Sequence, residues 1–281
     1  MAETYDFQRY LRAKVALDDR SLNACVVAAL RAAWPDGQLV RVLEIGAGVG
    51  TMVARLVRWG VLTGTVAYTA VDSDAANMAG LRALAASLPN GVRLNAVAAD
   101  VYDFAAAGDG QYDVLIAHAV LDLLDLDRAL PLLDARLADG GLAWLTLNFD
   151  GVTAFAPALD PALDAQIEAL YHASMDARAT GGHSQTGRRL FGALRQAGWD
   201  VLAAGSSDWV VHPVAGGYPG DEAYFLRHIL HFVETTLGGH PALDSAVFGQ
   251  WLAARRAQIA AGELLYVAHQ IDYLAQKVGL Q

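Results

Sequence analysis

The sequence is poor in cysteine, in basic residues and in long apolar runs, and each shortage removes a class of protein. Cys25 is the single cysteine in 281 residues, so no disulfide can close within the chain and no multi-cysteine metal cage can be built. Its place inside a helical apolar pattern predicts a packed core residue. Lys and Arg number 20 against 30 Asp and Glu, which leaves a net charge of −10 and no basic run to attract a phosphate backbone. Nucleic acid is therefore not an expected partner, and a small neutral or cationic molecule suits the overall charge better. The longest apolar runs, such as Ala24 to Leu30, fall far short of the roughly 20 residues that span a bilayer. No membrane association is expected. Met1 to Lys14 mixes Glu3, Asp6, Arg9 and Arg12 with aromatics and offers no signal-like apolar segment, so the expected compartment is the cytoplasm. A homodimer is the assembly the sequence leaves open.

What the chain does have is apolar material, 54% of its residues, arranged in a strand-then-helix rhythm. The first 34 residues read as helix, with Leu22, Val26, Ala29, Leu30 and Ala33 at helical spacing before Trp34-Pro35-Asp36-Gly37 ends the run. Apolar strands follow at 39–45, 66–71, 92–98, 112–117 and 142–149, with helical stretches between them. Such alternation predicts an α/β doubly wound fold, a mostly parallel seven-stranded sheet with an antiparallel edge strand and helical insertions forming a lid. The helix over 127–138 is expected to stop at Asp139-Gly140-Gly141. Later strands are expected at 199–211 and 264–273, paired antiparallel. The implied division is an N-terminal helical cap over 1–36, a cofactor-binding core over 37–150, and a remainder over 151–281 that completes the sheet and carries insertions at about 151–185 and 213–262.

The sharpest local signal is Glu44-Ile45-Gly46-Ala47-Gly48-Val49-Gly50-Thr51, an apolar strand that ends in glycines and opens a helix. Bare backbone there lets amide groups and a helix N-terminus approach a ligand closely. A dinucleotide fingerprint would also need glycine at position 51, where this chain has Thr, so a pyrophosphate is disfavoured. Two acids follow at the carboxyl ends of the next two strands, Asp72 in Val71-Asp72-Ser73-Asp74 and Asp100 in Ala99-Asp100-Val101. A carboxylate at the first place can accept from both hydroxyls of a ribose, although an N-cap for the following helix competes as a reading.

These motifs, in order across roughly residues 39–149, resemble those of class I S-adenosylmethionine-dependent methyltransferases. The resemblance implies S-adenosyl-L-methionine as cofactor. It implies that Glu44, Gly46, Ala47 and Gly48 line the methionine end, that Asp72 holds the ribose, that Asp100 and the Val101 backbone N–H meet the adenine, and that Gly50 and Ser73 also belong to the cofactor site. His118, ending the fourth strand, is expected beside the sulfonium, either as a general base for a hydroxyl or amine or as a packing residue. The Asn or Asp followed by Pro-Pro and an aromatic, found in many methylases of nucleobase amines, is missing after that strand. No metal is expected, since the scattered histidines lack the i, i+4 pair of a zinc helix and Asn148 with Asp150 lacks a third ligand.

Candidate substrate contacts are Tyr5, Tyr10, Asn148, Asp150, Tyr171, His172, Trp209 and His231, with Arg188 and Arg189 as potential forks for a carboxylate. The leading functional expectation is methyl transfer to an O, N or S atom of a small molecule. A nicotinamide-dependent oxidoreductase and a non-methylating user of an S-adenosyl cofactor are the alternatives.

Overall fold

The computed structural model describes residues 5–37, 39–108, 110–179 and 181–279. Three helices precede the sheet, α1 (Phe7–Ala13), α2 (Val15–Ser21) and α3 (Ala24–Ala33), where the sequence pattern predicted one continuous helical stretch. Local capping explains the breaks. Asp6 accepts from the Arg9 N–H at the start of α1, Lys14 ends α1 and begins α2, and Asn23 accepts from the Cys25 and Val26 N–H groups to start α3. The buried stripe of α3 runs through Val26 and Leu30, and Cys25 lies off it, exposed. The expectation of a core cysteine is thereby corrected.

Strand and helix then alternate as β1 (Val40–Ile45), α4 (Thr51–Arg58), β2 (Val66–Asp72), α5 (Asn77–Ala85), β3 (Val92–Ala98), α6 (Val101–Ala107), β4 (Tyr112–His118), α7 (Leu126–Arg136) and β5 (Leu137–Ala156). The remainder supplies α8 (Pro161–Asp176), α9 (Thr186–Gln196), β6 (Trp199–Ser206), β7 (Trp209–Val211), α10 (Glu222–Leu237), α11 (Ser245–Ala261) and β8 (Leu265–Lys277). The strand order is β3-β2-β1-β4-β5-β8-β6, with β7 also paired to β8. Pairing is parallel from β3 to β5, and β8 runs antiparallel to β5, β6 and β7. The order of addition reverses between β1 and β4, so the crevice outside their carboxyl ends is the switch point at which such sheets bind ligands.

Eight strands form rather than seven because the run 199–211 is cut at Ser207-Asp208. There Asp208 Oδ1 takes the Gln270 N–H at 3.2 Å in place of a regular backbone partner. β5 is also longer than expected at both ends. Gly140, at φ 75°, sits in a bulge where the register with β4 slips, so the glycines bend a strand and do not end a helix. Residues 153–156, expected within the first insertion, pair with β8 at Leu265 to Ala268. The insertion therefore leaves the sheet only after Ala156.

Period-2 alternation sorts the strand side chains onto two faces. Val42, Val114, Ile116 and Trp144 pack on one side with α1 to α5, α8, α10 and α11. Leu43, Ile45, Leu115, Ala117 and Leu145 pack on the other, against α7 and α9. Among the described residues no helix is long and apolar enough to cross a membrane.

Candidate active site

At the tip of β1 the chain turns through Gly46, Gly48 and Gly50, all at positive φ (64°, 53° and 87°). Space as well as conformation demands glycine. A Cβ on Gly46 would lie 2.6 Å from Val120 Cγ2, and one on Gly48 3.0 Å from Leu11 Cδ1. Gly46, Ala47 and Gly48 line a cavity of about 550 Å³ that extends across the tips of β3, β2, β1 and β4. Gly50 does not line it; its bare Cα admits the Leu81 and Leu84 side chains of α5.

The next two strand tips bring both predicted acids to the same cavity, with Ser73 and Val101 beside them. Asp72 Oδ2 accepts the Gly48 N–H at 2.7 Å, while Oδ1 accepts the Asp74 N–H at 2.9 Å and Asn77 Nδ2 at 3.0 Å. Asp72 thus holds the glycine turn in place; Oδ1 already takes two donors, and Oδ2 keeps capacity for one more. The cap of the following turn falls to Asp74, whose Oδ1 takes the Ala76 N–H at 2.9 Å. Asp100 is the N-cap of α6, its Oδ1 accepting from Tyr102 N–H at 2.8 Å. Its Oδ2 makes no hydrogen bond among the described residues, so capping and ligand contact are compatible in one carboxylate.

Glu44 borders the cavity although it is only 1% exposed, and Tyr68 donates to its Oε2 at 2.8 Å. Burial, opposed only in part by that hydrogen bond, pushes its carboxyl up to about 8.

His118 lies on the β4 end of the cavity, inside a buried charge network. Its Nδ1 is 2.8 Å from Thr146 Oγ1 and its Nε2 3.2 Å from Asp18 Oδ2. Asp18 also accepts from Lys14 Nζ at 2.6 Å and from Trp209 Nε1 at 3.0 Å, with the buried Arg55 guanidinium 3.7 Å away. Burial alone would raise the Asp18 carboxyl, yet Lys14, His118 and Arg55 outweigh it and hold the group well below the ordinary range. Burial lowers His118 to about 4, so the ring is neutral at neutral pH. One tautomer satisfies both contacts, with Nε2–H donating to Asp18 and the Thr146 hydroxyl donating to Nδ1. Neither nitrogen is left for a substrate proton. Ala119, next to it, holds φ at 52° on the cavity wall, a conformation costly for a residue with a Cβ and a mark of local constraint.

The sequence matches a methyltransferase-domain family model over residues 8–204. The chain belongs to the methyltransferase domain family. No curated protein matches it. Among solved structures it is similar to a protein from Bacillus halodurans C-125 described as a methyltransferase. The two share 12% identity over 92% of this chain and 100% of that one, with a TM-score of 0.54. It is also similar to a mycolic acid cyclopropane synthase complexed with S-adenosylhomocysteine, at 14% identity over 97% and 86% of the two chains and a TM-score of 0.50. It is similar as well to a Geobacter sulfurreducens methyltransferase, likewise with S-adenosylhomocysteine, at 14% identity over 91% of each chain and a TM-score of 0.47. The fold is the class I, Rossmann-like methyltransferase fold, whose cofactor is S-adenosylmethionine.

The residues present in this methyltransferase-family chain fit that cofactor. A Cβ at Gly46 or Gly48 would strike Val120 or Leu11, both on the cavity wall, Asp72 and Asp100 supply acceptors on neighbouring strand tips, and Glu44 supplies one beside the glycine turn.

The eight residues expected to touch substrate do not line the cavity. Trp209 is buried on Asp18, and Tyr10 stacks on Phe225 and His228. Tyr5 stacks on His231 with ring centroids 4.0 Å apart. Asn148 Nδ2 donates to Leu145 and Ile271 carbonyls, His172 Nε2 lies 3.1 Å from Thr153 Oγ1, and Tyr171 packs against the core. Asp150 is gripped by Arg188, whose Nε lies 2.9 and 3.0 Å from its two oxygens, so that arginine serves the fold and not a substrate carboxylate. The walls on the α1 and β4 sides are instead Phe7, Leu11, Lys14, Leu123, Leu124 and Arg178, none of which the sequence had singled out. A lysine and an aspartate four residues apart, Lys14 and Asp18, on the apolar stripe of Tyr10 and Leu17 was the one available signal.

Proposed function

We propose that the protein transfers the methyl group of S-adenosylmethionine to an O, N or S atom of a small molecule. The observation that carries this reading is a single cavity bordered by a bare glycine turn and by Glu44, Asp72 and Asp100 from three strands. Residues 37–150 would hold the cofactor. The cap over 1–36 and the insertion after Ala156 would enclose the acceptor, with the insertion near 213–262 backing the cap, and the enzyme would work in the cytoplasm as the sequence suggests. The bound cofactor supplies an electrophilic methyl group on a sulfonium. The chain's own work is then to bind, orient and exclude water, because in-line positioning supplies much of the rate when the acceptor atom is already nucleophilic. Isothermal titration with S-adenosylhomocysteine and transfer of labelled methyl into a metabolite extract test the reading. Binding without transfer into any metabolite would leave a cofactor binder, and absence of both would remove the assignment.

Glu44 makes this binding pH-dependent. Before the cofactor binds, its carboxyl is largely protonated at neutral pH, and a cationic amino group beside it would favour the ionised form. Binding at neutral pH should therefore release close to one proton, and affinity should rise as pH rises toward about 8. Calorimetry in buffers of different ionisation enthalpy measures the proton count. Glu44→Gln should abolish the release; an unchanged count in that variant assigns the proton elsewhere.

His118 should act as a fixed wall. Loss of a general base typically costs about 10²–10⁴-fold in rate. With both ring nitrogens already committed, His118→Asn should retain turnover within about tenfold and leave the pH–rate profile without a changed inflection. A loss near the upper value, with cofactor affinity intact, would restore the proton-transfer role.

A further inference from the structure

Two cations border the cavity, Lys14 and Arg178, and they differ in what neutralises them. Lys14 is paired with Asp18 at 2.6 Å inside the buried network, so its charge is already matched. Arg178 is half-buried, on the segment that follows α8, and its guanidinium makes no hydrogen bond or ion pair among the described residues. An arginine held at a cavity wall without a partner is a donor fork awaiting an acceptor.

Its position is built rather than incidental. Gly181 bridges to Leu124, and a Cβ there would lie 2.4 Å from Asp125 Cβ. A Cβ on Gly182 would lie 2.5 Å from the Asp122 carbonyl oxygen. These glycines press the segment against the loop after β4 and so fix Arg178 at that end of the cavity. The acids on β2 and β3 stand at the other end.

The surroundings favour a singly charged group with an apolar body. Phe7 and Leu123 border the cavity and stay 45% and 43% exposed. Tyr171 and Asp122 lie within electrostatic reach of Arg178. Burial raises the Tyr171 hydroxyl to about 12, so it keeps its proton and adds no negative charge near Arg178. Asp122 opposes a second negative charge; its carboxyl is raised by burial to about 6 and its Oδ1 is sealed without a partner.

We propose that the methyl acceptor carries a carboxylate on an apolar body and that Arg178 anchors it at the β4 end of the cavity. The inference rests on the methyltransferase reading for the word acceptor, but not for the anion site itself. It also replaces the neutral or cationic substrate suggested by net charge, because an unpaired guanidinium a few ångströms from a ligand outweighs a screened overall charge.

The test compares wild type, Arg178→Gln and Arg178→Lys, each saturated with S-adenosylhomocysteine. Ligand-observed NMR with matched pairs of small aromatic carboxylates and their primary amides should show the acids bound in preference to the amides by wild type. Arg178→Gln should lose about tenfold or more of that preference and Arg178→Lys less, because a point charge cannot fork onto both oxygens. Affinity for S-adenosylhomocysteine should stay within about twofold in both variants. No preference for acids, or a preference that survives Arg178→Gln, overturns the proposal. A tenfold loss of S-adenosylhomocysteine binding would assign Arg178 to the cofactor and overturn it equally. Labelled methyl transfer into an extract divided by anion exchange adds the functional arm: label in the retained acidic fraction supports the proposal, and label confined to the unretained fraction overturns it. Failure of all transfer would count against the methyltransferase reading alone, since the NMR comparison decides Arg178 without turnover.

Discussion

Replacing Asp72 with Ala should weaken S-adenosylhomocysteine binding by about 1.5–3 kcal/mol, roughly 10- to 150-fold in Kd, the range for hydrogen bonds to a charged group. The carboxylate has two separable duties. It holds the Gly48 N–H and the Asp74 turn, and by the proposed reading it receives the ribose hydroxyls. A ligand that keeps the ribose but lacks the amino-acid end tells them apart. If ribose contact dominates, methylthioadenosine and S-adenosylhomocysteine should lose the same factor in the variant. If the loss comes from a loosened glycine turn, S-adenosylhomocysteine should suffer more, because by that same reading the turn lies beneath its methionine part. Equal Kd values for wild type and variant by calorimetry would remove Asp72 from the site.

The part of this site that the sequence revealed is the part made by single strands and the turns that follow them. β3 covers the predicted 92–98, and Asp72 and Asp100 stand at strand ends because a short apolar run followed by an acid and a helix permits little else. The acceptor side was not legible for a different reason. Its residues come from α1, the loop after β4 and the turn after α8, and only the folded chain brings these together. Tyr10, Tyr171 and Trp209 look alike in sequence as core or wall, and the deciding contact of Trp209 is to Asp18, 191 positions away. Arg178 reads as an ordinary charge in a turn, and only the i, i+4 spacing of Lys14 and Asp18 on an apolar stripe marks the α1 side. Gly140-Gly141 misled in the opposite sense, since a glycine stop and a glycine bulge share one signature.

Asp18→Asn should cost about 3–5 kcal/mol of folding stability, the range for removing one partner of a buried ion pair. Asparagine keeps the shape and can still accept from Trp209 Nε1, but Lys14 and the fully buried Arg55 then lose a shared counter-charge. Urea unfolding should show the midpoint falling with an unchanged slope. The pH dependence has a definite sign. A carboxyl held below its unfolded value contributes fully above about pH 4 and loses that contribution as pH falls toward its folded value, so the wild-type and Asp18→Asn curves should converge in acid. A gap under about 1 kcal/mol at neutral pH, or one that widens on acidification, would show that the network adds little. Lys14→Met in the Asp18→Asn background should recover much of the loss, because apolar replacement of a buried pair is often neutral or stabilising. The network would then be retained for what it fixes at the cavity, a neutral His118 and a matched Lys14, which leaves Arg178 as the cation free to select a ligand.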